Sequence, residues 1–327
     1  MKTKRRARRP PRGIRGGAPP PDVGLESELE VRTEDGARLS AVVLEPRGPM
    51  CGTAILAHAM FARRSSFVRG EGGLAEALRA LGWRVVAFDF RGHGGSATPD
   101  GGDWGYDELV RFDLPAVAAC VRARAEDLPV IVVGHSLGGH VALAGLATGA
   151  LDVDGVLALA TNVWMRRLER SGGRWLVKSA LARVTEGVAT RLGRLPARRI
   201  RLGSDDEAGR YLSDLFRASR TNAWTSADGR VDYLASLARV TAPVAAVVSA
   251  GDRLNCTPDA GERFARLCGG PVQVFRVSRA DDGSPAPDHM QVVTTDKARS
   301  AIVSAQAWLR EQLAPKKARR ARGQARP

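Results

Sequence analysis

The 327-residue sequence has few cysteines and no long apolar run. Its four cysteines lie far apart and form no C-x-x-C pair, so no disulfide scaffold is expected and a reducing cytoplasm is the predicted compartment. No apolar stretch approaches the roughly 20 residues of a membrane-spanning helix, so we expect no transmembrane segment. A twin-arginine-like start is followed by Pro and Gly instead of an apolar core, which argues against a signal peptide.

Acidic residues are absent from both ends of the chain, where basic residues are concentrated. Residues 1–21 contain eight Lys or Arg and residues 315–327 contain six. Without these 14, the other 36 basic residues nearly balance the 35 acidic ones. We interpret 1–22 and 315–327 as disordered basic tails, because segments of this composition cannot bury a core. Weak contact with a polyanion or an anionic membrane is one hypothesis; plain solvation, favoured by the lack of interleaved aromatics, is the other.

Short apolar runs alternate with helix-like segments through most of the chain. Runs of this kind are typical of strands buried in a parallel sheet. The predicted strands are 25–31, 39–44, 52–58, 83–88, 128–133, 155–160, 243–249 and 272–277. The predicted core helices are 73–81, 113–125 (with Asp113 as N-cap), 259–267 and 297–313. This rhythm predicts an α/β fold with a mostly parallel eight-stranded sheet flanked by helices.

The rhythm is interrupted between residues 161 and 239. No buried strand occurs there, and helix-like runs at 175–192, 207–217 and 231–237 replace it. We predict a helical cap or lid, inserted between two parts of the core (23–160 and 240–314), whose apolar underside lines a substrate pocket. Ordinary surface helices are the alternative, but so long an insertion is hard to explain as a connection.

One stretch has the pattern of a nucleophile elbow. The apolar run ending at Val133 leads into Gly-His-Ser-Leu-Gly, and a helix of small residues follows. In such a turn Ser136 projects above the sheet edge and the N–H of Leu137 points beside its hydroxyl. Gly134 and Gly138 fill positions where a Cβ would collide across the turn. The alternative interpretation is a Gly/Ser turn without chemistry.

A serine nucleophile needs a base and a group that orients the base. Asp252 follows one predicted strand, and His289 lies in a polar loop after the last strand. Loops at the carboxyl ends of parallel strands meet in one crevice, so Ser136, Asp252 and His289 are expected there. The four other histidines are assigned to structure (His135 and His140) or to the rim of the site (His58 and His93).

A glycine-rich segment after the fourth strand must be weighed as a nucleotide site. Gly92, Gly94 and Ala97 match G-x-G-x-x-A. A dinucleotide site needs a helix to open at that point, and loop residues follow instead. We therefore expect neither a nucleotide nor any other cofactor, and no metal.

From about residue 27 to 313 the chain resembles the capped esterases, lipases and lysophospholipases of the α/β-hydrolase superfamily. The segments that carry the resemblance are Leu-Ala-His-Ala-Met-Phe at 56–61, Asp-Phe-Arg-Gly-His-Gly-Gly-Ser at 89–96, the elbow at 134–139, Gly-Asp at 251–252 and Asp-His at 288–289. Ala59 stands where the family usually has glycine, and Asp288 replaces the usual glycine before the histidine.

The resemblance implies a serine hydrolase. Ser136 would attack an acyl carbonyl, His289 would be general base and acid, and Asp252 would orient the imidazole, with Asp288 as a rival. The N–H groups of Leu137 and Met60 would form the oxyanion hole. The expected substrate is a small carboxylic ester (acylglycerol, lysophospholipid or thioester), cleaved through an acyl-enzyme.

Two other functions stay open at this point. The same triad serves acyltransferases and aminopeptidases or amidases. A different class is a non-catalytic α/β-hydrolase scaffold whose basic tails bind a polyanion; the complete Ser, Asp and His set argues against it.

Overall fold

The computed structural model describes residues 26–68, 73–124 and 127–314. The predicted basic tails lie outside these ranges. Within the described part, the observed elements begin and end within a few residues of most predicted ones.

An eight-stranded sheet forms the centre of the molecule. Its strands are β1 (Glu26–Arg32), β2 (Arg38–Leu44), β3 (Gly52–Ala57), β4 (Trp83–Phe88), β5 (Val130–His135), β6 (Gly155–Leu159), β9 (Val244–Ser249) and β10 (Val272–Val277), and β7 and β8 belong elsewhere. The strand order is β1-β2-β4-β3-β5-β6-β9-β10. Strand β2 runs antiparallel to both neighbours, and every other pair is parallel. The predicted fold class is confirmed.

Helices cover both faces of this sheet. They are α1 (Leu74–Ala80), α2 (Tyr106–Glu108), α3 (Leu114–Arg122), α4 (Leu137–Thr148), α8 (Pro258–Ala265), α9 (Gln291–Thr294) and α10 (Arg299–Leu313). Apolar side chains of α3 and α4 pack on one face, and those of α1 and α10 pack on the other. Burial on both faces explains why the central strands are apolar throughout.

The prediction that Asp113 caps a helix is wrong. The helix begins earlier, at Tyr106, and continues through a π-helical turn (Leu109–Asp113) into α3. The wider turn precedes Pro115, whose missing N–H would interrupt an α-helical ladder. The buried carboxylate of Asp113 instead accepts hydrogen bonds from the backbone N–H and Nε of Arg91, at 2.9 and 2.8 Å.

Residues 161–239, which we call the cap segment, lie between β6 and β9. They contain α5 (Gly172–Leu192), α6 (Gly209–Thr221) and α7 (Tyr233–Ser236), together with a hairpin of β7 (Arg194–Leu195) and β8 (Glu207–Ala208) that the sequence analysis did not predict. Tyr211 and Trp224 of this segment join the same apolar cluster as Trp104 and Tyr106. The cap segment therefore shares a core with the helices on that face of the sheet.

Among the described residues, no helix combines the length and the apolar character needed to cross a membrane.

Candidate active site

Ser136 lies at the tight turn between β5 and α4. Its backbone has φ 51° and ψ −107°, a conformation that costs a non-glycine residue about 1–3 kcal/mol. The turn is held by the N–H of Ser136, which donates to the carbonyl of Leu159 at 2.9 Å, and by the N–H of Gly138, which donates to that of His58 at 3.1 Å. A Cβ on Gly138 would lie 2.1 Å from the Ala57 oxygen, so this close approach requires glycine.

His289 and Asp252 are paired by hydrogen bonding. The Nδ1 of His289 lies 2.5 Å from Oδ2 of Asp252, which is 2% exposed and also accepts the N–H of Cys256 at 3.0 Å. Burial raises the pKa of Asp252, but the hydrogen bond to His289 outweighs it and the pKa lies below the usual value. The carboxylate is therefore charged at neutral pH and holds a proton on Nδ1, which leaves Nε2 free to accept one.

Asp288, the rival acid, has a different role in the structure. Its carboxylate is exposed and accepts the N–H groups of Met290 and Gln291, at 3.0 and 2.8 Å. It stabilises the turn that begins α9.

The loop of His289 is fixed by groups from two other strands. The Nε2 of His135 donates to the carbonyl of His289 at 2.9 Å, and burial, with the nearby His289, lowers the pKa of His135 to about 3. The hydroxyl of Ser249 donates to the carbonyl of Pro287 at 2.5 Å. At Gly251 a Cβ would lie 2.1 Å from a carbonyl of the same loop, so the glycine before Asp252 permits this approach.

Two backbone N–H groups face the cavity beside Ser136. Leu137 begins α4, and Met60 lies in the loop after β3; both line the same cavity as Ser136 and His289. Neither N–H donates to another group within the described part of the chain. His58 fixes the start of the Met60 loop, because its Nδ1 donates to the carbonyl of Ala59 at 2.8 Å and its Nε2 accepts the N–H of Phe90 at 3.0 Å.

This cavity has a volume of about 630 Å³. The hydrolase core contributes Ser136 and His289, and the cap segment contributes mainly apolar side chains, such as Trp164, Leu215 and Phe216. No Asp or Glu occurs among the described residues that line it. The volume suits a small organic ligand, and the lining favours an apolar one.

The cap segment holds the loop of Met60 in place. Phe61, with φ 65°, donates its N–H to Oε1 of Glu207 at 2.6 Å and accepts the N–H of Ser204 on its carbonyl at 2.8 Å. Glu207 also contacts Nε2 of His93, at 3.2 Å, and both side chains are fully buried. Burial alone would lower the pKa of His93, but the charge of Glu207 raises it to about 9.

A second set of cap contacts reaches the loop of Asp252. The Nε1 of Trp164 donates to the carbonyl of Asn255 at 3.1 Å, and Nζ of Lys178 lies 3.5 Å from the same oxygen. Lys178 is 1% exposed and pairs with Glu169 at 3.0 Å. The cap segment therefore contacts the loops on both sides of Ser136.

His140 lies on α4 and also lines the cavity, with its Nδ1 2.9 Å from the hydroxyl of Tyr106. Burial lowers its pKa to about 3, so it is neutral. Within the described ranges, no group of three or more His, Cys, Asp or Glu is placed to hold a metal ion.

One family model matches residues 60–276, about two thirds of the chain; it is described as Hydrolase_4, serine aminopeptidase, S33. The chain belongs to this family. It is an esterase- or lipase-like serine hydrolase of the α/β-hydrolase superfamily, and the predicted superfamily and enzyme class are confirmed. Ser136 and Asp252 lie inside the matched residues, and His289 follows them.

A short segment is similar to curated relatives. It is 44% identical over 70 residues to proteins named lysophosphatidylserine lipase ABHD12 from Macaca fascicularis, Rattus norvegicus and Mus musculus. The match covers 21% of this chain and only 16% of each relative's length.

Solved structures of low sequence identity share the fold. Est1E from Butyrivibrio proteoclasticus, with ferulic acid bound, has a TM-score of 0.57 and 16% identity over 88% of this chain and all of that one. The Pyrococcus furiosus esterase Pf2001 has a TM-score of 0.57 and 19% identity over 92% of this chain and 96% of that one.

The structure brings the predicted residues together. Ser136, Leu137, Met60 and His289 line one cavity, and Asp252 lies behind His289. The sequence analysis did not find the cap contacts of Glu207, Trp164 and Lys178. Their only signal was weak: acidic residues are few in a strongly basic segment, and three stand together at 205–207.

Proposed function

We propose that this protein hydrolyses carboxylic esters with an apolar acyl chain through an acyl-enzyme on Ser136. The observation that carries the proposal is the Asp252–His289 hydrogen bond behind a strained serine turn, at a cavity lined mainly by apolar side chains. A charged, buried carboxylate that orients an imidazole is the arrangement that activates a serine hydroxyl.

The proposed reaction begins with attack of Ser136 Oγ on the acyl carbonyl carbon, while Nε2 of His289 accepts the hydroxyl proton. Asp252 stabilises the imidazolium, and the N–H groups of Leu137 and Met60 donate to the oxyanion. The C–O bond then breaks and His289 protonates the leaving alcohol. A water molecule, deprotonated by His289, attacks the acyl-enzyme, releases the acid and regenerates Ser136.

The cavity supports an ester in preference to a peptide amine. An aminopeptidase binds a protonated α-amine, and a carboxylate is the usual partner for such a group. The described lining has no Asp or Glu, whereas unpaired Arg201 lies at its edge. We therefore favour an uncharged or anionic substrate, and the lysophosphatidylserine lipase relatives support a lipid ester.

A fluorophosphonate probe tests the proposed nucleophile. We expect the wild type to be labelled and Ser136→Ala to remain unlabelled. Ser65→Ala is the matched control because Ser65 lines the same cavity, and it should be labelled like the wild type. Folded wild-type protein that is not labelled would refute the proposal.

A series of p-nitrophenyl esters of increasing chain length tests the substrate class, with an aminoacyl p-nitroanilide in parallel. We expect kcat/KM to increase with acyl length until the cavity is filled. Faster cleavage of the anilide would overturn the ester proposal and support the aminopeptidase alternative.

A further inference from the structure

Helix α5 of the cap segment presents its large apolar side chains to solvent. Those at positions three or four residues apart share one face. They are Val177, Leu181, Val184, Val188 and Leu192, which are 37–66% exposed. The buried side chains of α5 are small or polar, namely Lys178, Ser179, Ala182 and Ala189. This is the reverse of a surface helix that packs its apolar face inward.

The apolar face extends beyond α5 towards the cavity. Leu176 is 70% exposed on the same helix, and Ile200 and Leu202 are 57% and 51% exposed in the loop after β7. Leu181 and Leu202 also line the cavity. We call this set of eight exposed side chains the apolar face. Because it is continuous with the cavity wall, a ligand on it would have direct access to the site.

Unpaired arginines accompany the apolar face. Arg183 and Arg191 lie on α5, and Arg198, Arg199 and Arg201 flank Ile200; all five are exposed. Within the described part of the chain, none of them has a carboxylate at ion-pair distance. The arrangement of apolar side chains with adjacent free cations matches an anionic surface that has an apolar interior.

The charge of the chain is divided in the same sense. The cap segment contains 16 Lys or Arg and 8 Asp or Glu, a net charge of +8. Residues 22–160 and 240–314 contain 20 Lys or Arg and 27 Asp or Glu, a net charge of −7. An anionic surface would therefore attract the cap segment and repel the rest of the body.

We propose that the apolar face and its arginines dock on an anionic phospholipid bilayer and turn the mouth of the cavity towards the lipid. A second copy of the chain fits less well. A two-fold interface would place the same unpaired arginines against each other. The proposal rests on the proposed function only in the fate of the bound lipid, because docking itself needs no catalysis.

Vesicle sedimentation of full-length Ser136→Ala protein tests docking without turnover. We expect binding to vesicles that contain phosphatidylglycerol and weaker binding to pure phosphatidylcholine. Val184→Asp with Leu192→Asp should lower partitioning about 10-fold or more, because two exposed side chains outside the cavity would become charged. Leu267→Asp, a 37% exposed leucine after α8, should bind like its parent.

Both tails are present in all these proteins, so the comparison isolates the apolar face. Equal partitioning of the double variant and its parent would overturn the proposal. So would a parent that dimerises in sedimentation velocity, does not bind vesicles and becomes monomeric in the double variant, since the face would then join two copies.

The two proposals fail separately. In the Ser136 background, the double variant should hydrolyse a soluble short-chain ester at the wild-type rate. Absent fluorophosphonate labelling with intact vesicle binding would refute the enzymatic proposal alone. Normal labelling with vesicle binding that ignores the substitutions would refute docking alone.

Discussion

At the scale of single residues, two adjacent features of the His289 loop separate orientation from turn formation. Asp252 bonds the imidazole from a buried position, whereas Asp288 is exposed and bonds backbone N–H groups. The acid that is distant in sequence is therefore the one in contact. Neighbouring side chains on a loop rarely have the geometry to orient each other.

Substitution of these two acids gives a direct test. Asp252→Asn should reduce kcat by about 10⁴-fold, because an amide can stabilise the wrong imidazole tautomer and cannot balance the imidazolium charge. Asp288→Asn, the matched control, should stay within about 3-fold of the wild type and lose only part of a turn. The measurement is kcat on a p-nitrophenyl ester; comparable losses in both variants would contradict the assignment.

Much of the site at this scale follows from sequence. Ser136 is predictable because a tight turn between a buried strand and a helix demands glycines at 134 and 138. Asp252 and His289 follow because parallel strands bring their terminal loops together. The partners of His135 and Phe61 do not follow, since a hydrogen bond across 146 residues to Glu207 has no local pattern.

At the scale of elements, the loop after β3 depends on the hairpin of the cap segment. Phe61 adopts a left-handed conformation, and β8 and the residues before it bond both its N–H and its carbonyl. Met60 precedes Phe61 directly, so the direction of the Met60 N–H depends on these contacts.

Removal of this support should slow catalysis. We expect Glu207→Ala to lower kcat about 10- to 100-fold with little change in KM, less than the roughly 100- to 1000-fold loss of a whole oxyanion donor. Glu207→Gln should recover much of the rate, because its amide oxygen still accepts the N–H of Phe61. A loss confined to stability, with normal kcat in the folded fraction, would show that the contact is structural only.

The buried His93–Glu207 pair also predicts a pH dependence of stability. The pKa of His93 is raised to about 9 from an ordinary 6.5, so the folded state binds this proton more tightly than the unfolded state. Its stabilisation is complete below about pH 6.5 and is lost as the pH rises through 9.

Thermal melts from pH 6 to 10 measure this effect. The Tm of the wild type should fall over the upper part of that range, and the Tm of Glu207→Gln should fall less. Parallel curves for the two proteins would contradict the assignment of the charged pair.

Element boundaries show where sequence patterns are limited. Strands β4 and β10 match their predictions because apolar runs end sharply at both sides. The helix around Asp113 was misplaced, because Pro115 and an acid before it have the composition of a helix start. The buried Arg91, which binds that acid, lies 22 residues away and gives no local signal.

At the scale of the whole molecule, the eight-stranded order and the insertion after β6 were predictable, since alternating strands and helices permit few connections. The outward apolar face of α5 was not. A sequence pattern gives the face of a helix but not its direction, and the buried Lys178 side would be assigned to solvent by composition.

The tails give a further prediction at this scale. Deletion of residues 1–21 and 315–327 removes 14 of the positive charges, so elution from a heparin column should move to clearly lower salt. Hydrolysis of a soluble ester should be unchanged. Unaltered elution would assign polyanion binding to the cap segment instead.

The double attachment of the cap segment affects how such a protein can be re-engineered. It bonds Phe61 through Glu207 on one side of Ser136 and Asn255 through Trp164 on the other. A foreign cap grafted at 161 and 239 would leave both loops without their partners, even if its own helices folded. A productive chimera would have to transfer the 59–63 and 252–257 loops together with the insertion, so the unit of inheritance for specificity is larger than the insertion itself.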